Sequence, residues 1–296
     1  GWGCAGINPF GVLIAQNIAN VPLTSGWGFR LTIMFAFLAV AFHHIYRYAI
    51  RVQKHPETSL VAHIDYSVGF EAPADLAMTG RRIAVLTVFV LGIAGFVYGV
   101  SEFHWYIAEL NAIFLGVGLL GAAISRIPAG ETSRIFIEGA AAMTPAALLV
   151  GFARTIEVVL TDGQIIDTIV YSIAGLLESL PAEASALGML LVQTICNFFI
   201  PSGSGQAFVT MPIMSPLATL TDVPQQTAVL AYQFGDGFTN MIVPTSALVM
   251  GALALGKVPY AAWFKFVGPL LVKMFLLAGV FLVLSMHIGP ALGFGA

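Results

Sequence analysis

The chain has 296 residues, of which 58% are hydrophobic and only 9% are charged, and its net charge is −3. Soluble domains carry about 25% charged residues, so this composition excludes an ordinary soluble protein and predicts an integral membrane protein. The small net charge gives no indication of a nucleic-acid partner. The two cysteines, Cys4 and Cys196, lie far apart and form no metal-binding or disulfide pattern.

The first 50 residues contain two apolar segments, one interrupted and one continuous. Residues 1–20 are apolar but are broken at Asn8-Pro9, where proline removes a backbone donor. Residues 27–50 are apolar throughout and predict a spanning helix. The polar stretch 51–82 follows, and its Lys and Arg residues predict a cytoplasmic linker.

Several apolar segments follow the linker before the next interruption. Their lengths predict transmembrane helices, whereas the charged and the amphipathic segments between them predict helices at the membrane surface. The predicted spans are 83–100, 107–125 and 140–159; a loop with a short surface helix is predicted at 126–138 and an interfacial helix at 163–179. Arg154 and Glu157 are interpreted as a structural ion pair, and His43-His44 as structural residues.

A polar interruption divides the apolar segment 185–220. Pro201, Gly203 and Gly205 cannot all lie in one regular helix. Irregular backbone at membrane depth persists only where it is buried in protein or lines a wet cavity. The segment therefore predicts a re-entrant hairpin of two half-helices, whose polar tip faces a solute.

The last part of the chain repeats the organisation of the first. A second broken helix is predicted at 226–256, with the break near Pro244, and a final span at 260–287. Asn8 precedes Pro22 by the same number of positions as Thr245 precedes Pro259. The positions of Lys and Arg in the loops give the two copies opposite orientations. Broken helices at matching places in inverted halves indicate the binding site of a secondary transporter.

Four motifs resemble the YfcC-like branch of the C4-dicarboxylate anaerobic carrier (DcuC-like) family, within the ion transporter superfamily. They are Pro201-Ser-Gly-Ser-Gly-Gln-Ala207, Met211-Pro-Ile213, Phe234-Gly-Asp-Gly-Phe-Thr-Asn240 and Val243-Pro-Thr-Ser246. The resemblance implies an all-α polytopic membrane protein built from two inverted repeats. By this resemblance, residues 1–50 are the last two helices of repeat one and residues 83–287 are repeat two. The chain is then expected to be an N-terminally truncated piece of a longer protein, since it opens on Gly1 without a signal peptide.

The resemblance also implies which residues bind the substrate and a coupling ion. In the related divalent anion/sodium symporters, a hairpin tip and the following broken helix hold both. The candidate residues here are Asn8, Pro9, Ser202, Gly203, Ser204, Gly205, Gln206, Asp236, Thr239, Asn240, Pro244, Thr245 and Ser246, with a sodium ion at Ser202–Ser204 and Thr245.

Gln233 differs from the residue found at the corresponding place in the similar aminobenzoyl-glutamate transporters, which carry arginine there. Arginine binds carboxylates through two parallel hydrogen bonds, and glutamine cannot supply that charge. The sequence therefore predicts that this place lacks a carboxylate clamp. Asp236 without an arginine partner suits a cationic substrate, such as a basic amino acid.

These observations predict a secondary active transporter of a small polar metabolite, an amino acid or a carboxylate, in the bacterial cytoplasmic (inner) membrane. It is expected to be multi-pass, to work by alternating access, and to couple to H⁺ or Na⁺ or to exchange solutes. No other cofactor is expected; the partners are the solute and the lipid bilayer, and a homodimer stays open. The alternatives are an ion channel and an intramembrane hydrolase with Ser204 as nucleophile, although Gly203-Ser204-Gly205 is not a complete nucleophile-elbow motif.

Overall fold

The structure is a computed structural model that describes residues 2–6, 8, 11–22, 25–64, 77–103, 105, 107–165, 168, 172, 175, 177, 180–289 and 294. These residues form α-helices and short 3₁₀ turns, with no β-strand among them. The helices are α1 (Val12–Ile18), α2 (Trp27–Lys54), α3 (Gly80–Phe103), α4 (Ile107–Ser125), α5 (Ala129–Asp162), α6 (Ala182–Phe199), α7 (Gly203–Leu220), α8 (Gln225–Thr239), α9 (Ala247–Leu255) and α10 (Tyr260–His287).

Four of the described helices are long and apolar enough to cross a membrane: Trp27–Lys54, Ala108–Ser125, Ala182–Phe199 and Tyr260–His287. Their outward faces carry large apolar side chains such as Phe35, Leu119, Leu191 and Leu276. These side chains are more than half exposed and suit contact with lipid. The predicted fold class, an all-α membrane protein, is confirmed.

The chain divides into two compact units. The first comprises residues 1–64 and 144–296, and the second comprises residues 65–143. In the second unit, α3 packs against α4. Gly92 allows their close approach, because a Cβ atom there would lie 2.8 Å from Val117 Cγ2.

Helix α8 is the centre of the first unit. Every residue from 226 to 239 is buried, and α1, α6, α7, α10 and the 3₁₀ turn Trp2–Cys4 pack around it. Phe37 of α2 adds to this core against Phe234 and Phe238, with ring centroids 5.3 Å and 4.9 Å away. The surrounding helices therefore separate α8 from lipid, which allows it to carry polar side chains.

One predicted boundary is wrong. Most of the loop and short surface helix predicted at 126–138 belongs to the same helix as the span predicted at 140–159, since α5 begins at Ala129. Arg134 donates to Glu131 and Glu138 at 2.5 Å each, and these contacts one turn apart stabilise the helix through the predicted boundary. The hydrogen bond from Arg134 also holds the pKa of Glu131 below its ordinary value.

The hairpin predicted at 185–220 begins three residues earlier, at Ala182, and ends at Leu220 as predicted. Helices α6 and α7 have 18 residues each, or about 27 Å at 1.5 Å per residue. Of the two, α6 is long and apolar enough to cross a membrane, and the re-entrant hairpin stays a prediction. The second broken helix matches its prediction, since α8 and α9 are separated at residues 240–246.

Some predictions lie outside the described residues. They concern Pro9, most of the interfacial helix 163–179, residues 65–76 of the linker, and the side chains of Arg154 and Glu157. The division into the end of one repeat and all of another stays a prediction.

Candidate functional site

The hairpin tip is a short extended segment between α6 and α7. Ser202 has extended backbone angles (φ −140°, ψ 112°) and caps α7, because its side-chain oxygen accepts from the amide of Gly205 at 3.3 Å. Gly203 is buried, whereas Pro201, Ser202 and Ser204 are half-buried. The tip thus presents the amino end of α7, where backbone N–H groups concentrate positive potential.

Buried amide side chains hold the two hairpin arms together below the tip. Gln206 of α7 donates to the backbone carbonyl and to the side-chain Oε1 of Gln193 on α6, at 2.8 Å and 2.7 Å. Thr210 donates to the same Oε1 at 3.0 Å. All three side chains are fully buried, so this network fixes the register of the arms.

Tyr232 connects the tip to the first interruption of the chain. Its hydroxyl donates to the carbonyl oxygen of Gly203 at 2.6 Å. The Tyr232 hydroxyl oxygen also lies 3.2 Å from the position that a Cβ of Gly11 would take, and Asn8 Nδ2 lies 3.3 Å from the same position. The predicted candidates Asn8 and Gly203 therefore lie close to the same tyrosine hydroxyl.

The second interruption lies against the end of the first hairpin arm. Asn197 of α6 donates to the backbone carbonyl of Asp236 at 3.1 Å, and Asn240 donates to Asp236 Oδ1 at 2.9 Å. Thr245 donates to the carbonyl of Phe198 at 3.3 Å. Asp236 is 1% exposed, so its carboxylate, which accepts from Asn240, is buried at the junction of the hairpin and the broken helix.

The remaining candidates complete this second interruption. Thr239 donates to the carbonyl of Gly235 one turn earlier, Ser246 is buried beside Thr245, and Pro244 is half-buried. Side chains of the final helix donate to two carbonyls that the break frees. Trp263 Nε1 donates to Met241 O at 2.8 Å, and the Tyr260 hydroxyl donates to Ile242 O. The broken backbone is therefore satisfied without a regular helix.

Polar side chains of α8 form one stripe along its buried surface. Gln226, Gln233, Asp236 and the following Asn240 lie within about 80° of each other at 100° per residue. Arg30 of α2 contacts this stripe by donating to Oε1 of both Gln233 and Gln226, the second at 3.1 Å. Gln233 is uncharged, but a guanidinium from another helix lies beside it; the prediction that this place lacks a carboxylate clamp stays a prediction.

Two buried oxygens beside Asp236 have no hydrogen-bond donor among the described residues. They are Oδ1 of Asn197 and Oδ1 of Asn240. Buried polar atoms are nearly always paired, so this group of oxygens beside a carboxylate is suited to a cation. Within the described part of the chain, no cluster of three or more His, Cys, Asp or Glu residues is arranged to hold a metal ion.

Comparison with known proteins places this architecture in a transporter family. The sequence profile of the C4-dicarboxylate anaerobic carrier family matches residues 2–287. The chain belongs to this family. The family is described as one of carriers and one relative as a putative antiporter, which supports a membrane transporter.

Two relatives give the family context. This chain is 35% identical over 297 residues to "Putative basic amino acid antiporter YfcC" of Escherichia coli (strain K12), covering 96% of this chain and 58% of the relative. It is 29% identical over 288 residues to an uncharacterized protein of Haemophilus influenzae (strain ATCC 51907 / DSM 11121 / KW20 / Rd), covering 95% of this chain and 56% of the relative. The chain thus spans a little over half the length of these relatives. No solved structure matches it.

The structure adds several residues to the site that the sequence did not indicate. They are Gln16, Arg30, Gln193, Asn197, Gln226 and Tyr232, all buried. Each is a polar residue within or beside an apolar segment, and that pattern is a usable signal. It does not reveal which of these side chains meet, because their partners lie far away in the chain.

The first testable prediction concerns Ser202 as the cap of α7. Ser202→Ala should lower the free energy of unfolding by about 1 kcal/mol, because it removes the oxygen that caps α7. Ser202→Asn should retain the wild-type melting temperature in detergent, since asparagine also caps helices. An unchanged melting temperature for Ser202→Ala would contradict the capping role, and loss of transport by the stable Ser202→Asn variant would indicate a contact with solute.

Proposed function

We propose that the protein is a secondary active carrier that moves a small polar metabolite by alternating access. The observation that carries this proposal is the meeting of the two interruptions and the hairpin tip around the polar stripe of α8. Membership of a carrier family supports the same conclusion. Discontinuous helices that meet in the interior are the usual construction of a substrate site in such proteins.

Burial of α8 favours a carrier over a channel. All residues from 226 to 239 are buried, so a solute can reach Asp236 only if the surrounding helices move. A channel needs a continuous wet path past its selective groups. Alternating access requires instead that the site close on each side in turn.

The chemistry of the site favours a substrate with a cationic group. The Asp236 carboxylate and the donor-free oxygens of Asn197 and Asn240 provide negative potential at one place. A substrate ammonium, Na⁺ or H⁺ would be stabilised there. The basic amino acid named for the Escherichia coli relative is compatible with this substrate class. We further propose coupling to H⁺ or Na⁺, or exchange of two solutes, in a multi-pass protein of the bacterial inner membrane.

Counterflow tests the carrier proposal. Proteoliposomes with the full-length protein should take up external radiolabelled L-lysine or L-arginine faster when they are preloaded with the same amino acid unlabelled. Preloading accelerates uptake because the loaded carrier returns to the outer face in exchange. Currents through single open channels without accelerated uptake would contradict it, and empty liposomes provide the control.

A further inference from the structure

Arg30 is a buried cation whose contacts among the described residues are all with uncharged groups. Its side chain is 1% exposed. The two Nη atoms donate to Oε1 of Gln233 and of Gln226. The ring of Phe294 covers the guanidinium, with Cζ 5.3 Å from the ring centroid. Amide oxygens and an aromatic face attract a guanidinium, but none of them neutralises it.

The guanidinium retains unused binding capacity. Arginine has five N–H groups, and the described structure provides acceptors for one on each Nη atom, whereas the buried Nε has none. Within the described residues, no carboxylate lies within salt-bridge distance of Arg30. The Nε–H and one N–H of each Nη atom therefore have no acceptor among the described residues, and a carboxylate binds arginine through two such parallel hydrogen bonds.

A buried charge without a counter-ion is unfavourable for the fold. Desolvation of one ion costs several kcal/mol even after the protein relaxes. A residue that only joined α2 to α8 could be neutral, since its partners are two glutamines. An anion that enters the site would offset this cost, so the site favours binding of an anionic ligand.

The position of Arg30 along α8 relates it to Asp236. Gln233, which accepts from Arg30, and Asp236 are three residues apart on the same polar stripe. That separation is about 4.5 Å along the helix axis. The stripe therefore has a positive group beside one turn and a negative group on the next. An α-amino acid has the same polarity, since one carbon separates its carboxylate from its ammonium group.

We propose that Arg30 binds the carboxylate of the transported metabolite while Asp236 faces its ammonium group, so that the substrate class is an α-amino acid. The inference rests on the proposed carrier function, which it makes more specific. A dicarboxylate would place its second carboxylate against Asp236, and a simple amine would leave Arg30 without a counter-ion. Arg30 is thus the residue that selects amino acids over their decarboxylated analogues.

Matched ligand pairs test this selection on the unmodified protein. We would measure the melting temperature of the full-length protein in detergent with L-lysine and cadaverine, L-arginine and agmatine, and L-histidine and histamine, and also with succinate. At least one amino acid should stabilise the protein by mass action, with an affinity about tenfold or more above that of its amine. Equal stabilisation by an amine and its amino acid, or no stabilisation by any amino acid, would overturn the proposal.

Two Arg30 variants then assign the effect to the guanidinium. Arg30→Gln should weaken amino-acid binding by about 100-fold, because it removes the charge. Arg30→Lys should weaken it by about tenfold, because lysine keeps the charge but loses the two-pronged geometry. Thr227→Val is the matched control: it removes a buried hydrogen bond of α8 to Ser285 on the opposite side of the helix. If Arg30→Gln fails to fold, the ligand pairs and Arg30→Lys decide the question.

Transport and binding separate this inference from the carrier proposal. Amino-acid binding that needs Arg30 but produces no counterflow would retain the inference and reject the carrier. Counterflow of cadaverine as fast as that of L-lysine would retain the carrier and reject the inference. Unchanged amino-acid affinity in a folded Arg30→Lys and Arg30→Gln protein would also reject it, since a merely structural arginine would alter stability and leave affinity intact.

Discussion

Asp236→Asn is expected to abolish transport while the protein still folds and inserts. The substitution removes the charge of the carboxylate but keeps its shape. Asparagine still offers an oxygen to the side chain of Asn240, which donates to Asp236 Oδ1 at 2.9 Å. The loss should therefore be functional rather than structural. Counterflow in proteoliposomes should fall by about 100-fold or more, since a buried charge interaction contributes 2–5 kcal/mol.

The same substitution at an exposed position provides the control. Asp222 lies in the turn between α7 and α8 with a positive φ of 54°, and asparagine tolerates that conformation well. Asp222→Asn should transport at the wild-type rate. The elution profile and melting temperature of both variants show whether they fold. Wild-type counterflow by Asp236→Asn would remove the carboxylate from the mechanism.

Gly235→Ala should strongly destabilise the protein, because α6 and α8 touch at this residue. A Cβ at position 235 would lie 2.5 Å from Gln193 Cβ and 2.8 Å from the backbone nitrogen of Thr194. Neither atom is the flexible end of a side chain, so the two helices must separate. Overpacking of this kind costs about 1–3 kcal/mol, and we expect the upper end. The melting temperature should fall by roughly 5–10 °C.

The displacement should also affect the site, since Gln193 accepts from Gln206 and Thr210 and joins the hairpin arms. Gly95→Ala is the matched control: this glycine lies within α3, and a Cβ there would have no neighbour within 4 Å. That variant should melt at or slightly above the wild-type temperature, because alanine favours helices. Equal melting temperatures for the two variants would contradict a close α6–α8 contact.

Much of the fold could be predicted because its signals are local. Proline and glycine limit backbone conformation wherever they occur, so Pro201 and Pro244 identified the two interruptions and α10 was predicted at its observed bounds. Long apolar segments identified the spans for the same reason. The boundary near residue 139 was wrong because charge pattern was taken as the end of a helix, whereas Arg134 pairs with glutamates on the same helix.

The candidate site was predictable only in part. Asn8, the hairpin tip and residues 236–246 were selected from their own segments, and the structure brings those that it describes together around α8. The contact of Arg30 with Gln233 joins residues 203 positions apart, and no local pattern specifies such a pair. The prediction about a carboxylate clamp rested on one position of α8, and nothing in that segment indicates that Arg30 lies beside it.

By itself, the sequence determined that this protein is a helical membrane protein with polar interruptions in its apolar segments. Composition and backbone chemistry act residue by residue, so they can be read along the chain. Only the tertiary structure decided that α8 is buried on all sides and that Arg30 and Asn197 converge on it. Packing makes that decision, because a buried polar group is stabilised by whichever distant side chain the fold places beside it.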